Sequence, residues 1–247
     1  MRILTLIGIS MFAALATTVG CSSAEQGGTA PTLEGLGDTT PLAQSTELAP
    51  SGKHSTKGQA ARKGGGGTNG ISNHGGPVML GTTNVYYIWY GNWAGNTATT
   101  ILTDLAGTIG GSPYYNINTT YTDSAGTRLS NAVAYAGSTT DSYSQGTSLS
   151  DAQIATVVQS AISSSRLPSD TNAVYFVLTS ADVTASSGFC TQYCGWHRNY
   201  AITGGNIKYA FVGNPDRCPA SCAAQTTGPN GNAGADGMAS ILAHELE

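Results

Sequence analysis

Apolar residues recur along this chain with two different periods, and the switches between them divide it into elements. Val85-Tyr86-Tyr87-Ile88-Trp89-Tyr90 is a continuous apolar and aromatic run between Gly81 and Gly91, the pattern of a strand covered on both faces. From Thr97 to Ile109 the spacing turns helical, with Ile101, Leu102, Leu105 and Ile109 on one side and Gly110, Gly111 and Pro113 ending the run. Tyr114 to Tyr121 and Ala132 to Tyr143 alternate loosely between larger and smaller side chains, punctuated by Gly126 and Gly137. That alternation predicts two or three antiparallel strands. Ser150-Asp151-Ala152-Gln153 is a capping box, and Ile154, Val157, Val158, Ala161 and Ile162 continue it as a helix that Pro168 terminates. Ala173 to Thr179 is a second buried strand. Ile207 to Val212 alternates with Lys208 on its outer face, as an edge strand does. The last stripe, Met238, Leu242 and Leu246, belongs to a helix for which Asp236 is the expected N-cap, with Ser240 and His244 at the border of the buried face.

Strand, helix, strands, helix, strand, loop, strand, loop, helix is the order of an α/β fold, here a single domain with a mixed sheet and packed helices. A final helix bearing His-Glu gives it a zincin-like layout, in which an edge strand lies above the active-site helix. The comparison is one of fold alone. It places Ile207 to Val212 beside a cleft where an extended peptide adds as a strand.

The start of the chain reads as an export signal. Arg2 is a minimal positive region, and Ile3 to Val19 is an uncharged apolar run too short and too rich in Ala, Thr and Ser for a membrane span. Residues 1 to 21 are therefore expected to form a signal peptide. The run closes on Thr18-Val19-Gly20-Cys21, which is similar to a bacterial lipobox, so lipid attachment at Cys21 competes with signal-peptidase cleavage nearby. Residues 22 to 76 are rich in Gly, Ser, Thr, Pro and Gln, a composition that buries too little apolar surface to offset its ordering entropy. They are expected to be a disordered tether, leaving 77 to 247 as the folded domain.

Within that domain ten Asp and Glu face five basic residues, Arg128, Arg166, Arg198, Lys208 and Arg217, which excludes nucleic acid as the expected partner. Four cysteines remain after Cys21: Cys190-x3-Cys194 and Cys218-x3-Cys222. In an exported chain they read as two disulfides in any of about three connectivities, stapling the irregular loop between Gly188 and Gly231. A four-thiolate zinc site is the alternative that the spacing permits.

The candidate chemistry lies at the end of the chain. His244 and Glu245 begin an HExxH pattern, in which two His separated by one helical turn bind zinc and the Glu polarises the metal-bound water. The second helix ligand falls past Glu247, and a helix reaching Glu247 without a Gly, Asn or basic cap reads as interrupted, so the domain is expected to be truncated. Taken alone, His-Glu is more often an ordinary polar pair on an amphipathic helix. His197, directly after Cys194-Gly195-Trp196, is a second candidate metal ligand or proton donor, weighed evenly against a locally bonded surface His. Asp182, at a strand exit, is a candidate to bind metal or to orient His197, although Asp at such a position is more often a turn cap. No glycine-rich phosphate loop follows a strand.

Several segments in matching order resemble the phosphate-induced protein family, also called EXORDIUM-like. They are His74-Gly75-Gly76-Pro77-Val78, Val85 to Gly91, Leu178 to Val183, Gly188-Phe189-Cys190 through His197, Lys208 to Asn214, Cys218-Pro219, Cys222 and Asp236-Gly237-Met238. The resemblance implies a secreted wall or apoplast protein linked to growth responses, with no settled enzymatic activity. Plant members largely lack the His-Glu helix, whereas microbial relatives continue it as His-Glu-Leu-x-Glu. The tether and lipobox point to a bacterial cell-surface version. Two functions follow. One is a zinc-dependent metallopeptidase-like hydrolase of extracellular peptides, with His244 and His197 as ligands and Glu245 as base. The other is a non-enzymatic surface protein that binds cell-wall polysaccharide or a protein, with Tyr86, Tyr90, Trp93 and Tyr115 as stacking residues. Membrane contact is expected only through Cys21.

Overall fold

A computed structural model describes residues 78 to 223 and 225 to 247. The expected signal peptide, Cys21 and the tether lie outside the described residues. Five strands form the main sheet in the order β2-β1-β4-β7-β6, comprising β1 (Thr83–Tyr90), β2 (Val133–Asp141), β4 (Ala173–Thr179), β6 (Gly195–Ile202) and β7 (Gly205–Val212). Short β3 (Ser148–Leu149) and β5 (Thr184–Ala185) pair separately. The helices are α1 (Ala98–Thr108), α2 (Asp151–Ser163), α3 (Pro219–Cys222) and α4 (Ala233–Glu245). This is the expected single α/β domain with a mixed sheet, packed helices and disulfides in the loop before the last helix.

β2, β1, β4 and β7 are parallel, and only β6 runs antiparallel. The expected antiparallel strands after α1 are therefore corrected. A helix separates β1 from β2, and a chain that crosses back through a helix returns parallel. Tyr115–Thr120 is a 3-10 helix rather than a strand. Its side chains bond back along the chain, Thr119 Oγ1 to the Asn116 carbonyl at 2.8 Å and Thr120 Oγ1 to the Ile117 carbonyl at 2.7 Å. Such local bonds compete with a strand ladder.

The central strands β1 and β4 are buried almost throughout, as their unbroken apolar runs require. Residues aligned across neighbouring strands share a face. The row Tyr87, Phe176, Ala210, His197 looks toward α1 and α4, and the row Tyr86, Tyr175, Tyr209, Arg198 looks toward α2. Tyr87 fixes α1 by donating its buried hydroxyl to the Leu102 carbonyl at 2.8 Å. α2 starts on the expected capping box: Ser150 Oγ accepts from Gln153 N, and Gln153 Oε1 accepts from Ser150 N at 2.8 Å.

Two boundaries differ from the sequence reading. Ile207 to Val212 is not an edge, because β6 pairs along its outer side. β6 was hidden inside the loop between Gly188 and Gly231, since Arg198 occupies one of its buried positions and masks the alternation of Trp196, Arg198 and Tyr200. α4 begins a turn earlier than expected. Asn232, not Asp236, caps it, accepting from Ala235 N at 3.0 Å, while the Asp236 carboxylate accepts from Asn230. Met238, Leu242 and Leu246 are buried as the helical spacing requires.

Candidate functional site

The edge strand β6 and the end of α4 bring two of the expected residues together. His197 projects from β6 on the α4 side, and its Nδ1 lies 2.7 Å from Glu245 Oε2. The Glu245 side chain is fully buried, while that of His197 keeps 29% of its surface. Glu245 Oε1 is buried without a hydrogen-bond partner. A carboxyl group held in that state has an unfilled bonding demand. The exposed edge of the imidazole leaves the pair open to solvent on one side.

The helix reaches the strand because Gly195 has no side chain. A Cβ there would lie 2.4 Å from Ile241 Cγ2, 2.9 Å from the Phe211 carbonyl oxygen and 3.2 Å from Glu245 Oε1. Gly195→Ala is therefore expected to lift α4 from β6 and to cost about 1–3 kcal/mol of stability, measured by urea unfolding. An unchanged midpoint would contradict this close approach. Sequence reasoning missed Gly195, although a glycine in a strand marks close approach of another segment.

His244 is half-buried on α4, outside the His197–Glu245 contact. Among the described residues no group of three or more His, Cys, Asp or Glu could hold a metal ion. A catalytic zinc takes three protein donors. His197 and Glu245 supply two, so these residues do not by themselves fit a zinc centre, and no chemical step is derived through one. Asp182 does not orient His197. Its carboxylate accepts from Ser180 Oγ at 2.6 Å and Tyr143 OH at 2.8 Å, and these bonds, the Ser180 one foremost, hold its carboxyl below the usual range. Tyr86, Tyr90, Trp93 and Tyr115, the stacking candidates, are all buried core residues.

The cysteines pair as Cys190–Cys218 and Cys194–Cys222, each spanning 28 residues, two rungs that tie the approach to β6 to the segment before α4. Behind them lies a second buried cluster that the sequence did not announce. Asp151 and Arg198 are 4% and 5% exposed, with Asp151 Oδ2 3.8 Å from Arg198 Nη2, too far for a hydrogen bond. Asp151 Oδ1 accepts from Ser187 Oγ at 2.6 Å, and Ser187 also meets the Tyr193 hydroxyl. Arg198 stacks over the Trp196 ring at 5.5 Å.

Burial raises the Asp151 carboxyl above its ordinary range, outweighing the Ser187 bond and the Arg198 charge that pull it down. The folded chain thus holds this proton more tightly than the unfolded chain. The stability that protonation contributes is full below the ordinary Asp range and is lost as pH rises through the raised folded value. Unfolding measured against pH should show this slope in the wild type and lose it in Asp151→Asn. Retention of the slope in the variant would assign it elsewhere.

Fold and site together define an open, mixed-sheet α/β domain, cross-linked as proteins of oxidising compartments are, with a His–Glu pair where its edge strand meets its last helix. The chain belongs to the phosphate-induced protein 1 family, whose conserved region matches residues 71–247. It is 34% identical over 201 residues to Protein EXORDIUM-like 5 of Arabidopsis thaliana, covering 70% of this chain and 55% of that protein. It is also 32% identical over 200 residues to Protein EXORDIUM-like 3 of the same plant, covering 70% and 59%. The chain thus spans a little over half the length of these curated relatives. No solved structure matches it.

Proposed function

We propose that this chain acts outside the cytoplasm or at the cell surface, and that it takes an extended peptide along the outer edge of β6, beside the His197–Glu245 pair. The observation that carries this reading is the pair itself. A fully buried carboxyl with one unpartnered oxygen touches a half-open imidazole on a strand that pairs, among the described residues, only with β7. A strand with one unpaired edge offers main-chain donors and acceptors to an incoming segment. His197 then stands beneath the bound strand to exchange a hydrogen bond or proton with it, and Glu245 orients the imidazole. Burial of Tyr86, Tyr90, Trp93 and Tyr115 takes these four out of polysaccharide stacking, and the exposed rings of Tyr114 and Tyr121 lie in a different segment from β6.

Incubating the exported protein with a pool of extended peptides and with wall polysaccharide, then recovering what stays bound, tests this choice. Peptide retention that is lost when the peptides' amides are N-methylated, which removes the main-chain donors that edge pairing uses, is expected. Retention of glycan alone would replace the reading with the wall-binding one. A zinc-dependent hydrolase built on the same pair, with His197 and His244 as ligands and Glu245 as base, needs a further donor beyond these residues. Elemental analysis separates it: about one zinc per chain, lost in His244→Ala, with cleaved peptides in the same pool, is its signature.

A further inference from the structure

The two bridges span the same number of residues but sit in different surroundings. Cys194 and Cys222 are 6% and 5% exposed, whereas Cys190 and Cys218 are only half-buried. Cys194 directly precedes β6, and its carbonyl accepts from Gly213 N at 3.1 Å, so the inner bridge is anchored to the sheet. Cys190 instead has a φ of +74°, a region that a residue carrying a Cβ enters only at a cost. Its neighbours hold it there. Phe189 is buried in edge contact with the Phe211 ring, Cys190 N donates to the Tyr193 carbonyl at 3.1 Å, and Thr191 N and Gln192 N both donate to the Gly188 carbonyl. Backbone held in a disfavoured region marks a functional segment more often than an inert one. A half-open bridge on such a backbone is the labile kind, and a buried bridge resists attack because a thiol cannot reach its sulfurs.

We propose that Cys190–Cys218 is an exchange site for a low-molecular-weight thiol, and that Cys194–Cys222 is the structural bridge that holds the fold while the outer one opens. In the exchange an incoming thiolate attacks the Sγ of Cys190 or Cys218, a mixed disulfide forms on that sulfur, the S–S bond breaks, and the other cysteine leaves as a thiolate. A second thiol removes the adduct, so two small thiols become one disulfide as the bridge becomes two thiols. Closure is the reverse, and it is favoured by geometry. Each outer cysteine lies four residues from the inner bridge, which keeps the two near one another after they separate. The inner bridge still ties residue 194 at the start of β6, so this inference does not rest on the peptide reading.

Reduced glutathione added to the folded full chain, followed by alkylation at timed intervals and peptide mapping, tests the proposal. Cys190 and Cys218 should be alkylated or carry glutathione roughly tenfold or more faster than Cys194 and Cys222, which stay protected until denaturant unfolds the chain. In Cys190→Ser/Cys218→Ser, whose inner bridge is kept, the fast thiols should vanish while the chain remains folded. Both bridges opening together, the inner one opening first, or neither opening at thiol concentrations that reduce an unstructured disulfide peptide would overturn the proposal. Fast thiols persisting in the double variant would overturn it as well, by assigning them to the inner bridge.

Discussion

His197→Ala is expected to destabilise the domain by about 3 kcal/mol, because it strands the Glu245 carboxyl in the interior with neither oxygen bonded. In the wild type only Oε1 lacks a partner, and Oε2 is satisfied by His197 at 2.7 Å. Glu245→Gln should behave differently. The amide has the same shape, keeps a group that bonds the imidazole and removes the buried charge, so the fold is retained within about 1 kcal/mol. Urea unfolding of the two variants and of the double variant distinguishes a coupled pair from two independent residues. Additive losses would mean that the contact contributes nothing of its own.

Removing both disulfides is the second large effect. Each bridge spans 28 residues, and closing a loop of that length is worth about 3.5 kcal/mol when it is the only link. The two bridges close nearly the same loop, four residues apart at either end. With one in place, the other closes only a short ring and adds about 2.5 kcal/mol. Replacing Cys194 and Cys222 by Ser should therefore cost about 2.5 kcal/mol, whereas replacing all four cysteines should cost about 6, comparable to the whole stability of many domains. Denaturant titration of the Cys→Ser pairs measures both. Equal losses from the first and second pair would show that the bridges do not share a loop.

Much of the fold was legible because its central strands and helix starts obey local rules. β1 and β4 are unbroken apolar runs, and the Ser150 capping box forms as its residues foretell. What escaped was set by partners distant in sequence. β6 carries Arg198 at a buried position, tolerable only because Asp151, Ser187 and Trp196 come from elsewhere to surround it, and without β6 the strand at 207 to 212 looked like an edge. Parallel pairing of β2 followed from the path of α1, not from the sequence of β2. At the site, His197 and Glu245 were each legible as candidates, but their contact was not, because it depends on the space that Gly195 leaves for α4. Cysteine spacing announced the bridges, and only the fold chose their partners.

The central claim is that the β6 edge beside His197–Glu245 is where this protein meets its ligand. Amide and imidazole NMR spectra of the exported chain, recorded with and without a pool of extended peptides, test it most directly. The account predicts shifts along Gly195 to Ile202 and at the His197 ring, absent when the peptides' amides are N-methylated. Shifts confined to other surfaces, or a β6 and His197 signature untouched by every peptide in the pool, would contradict it.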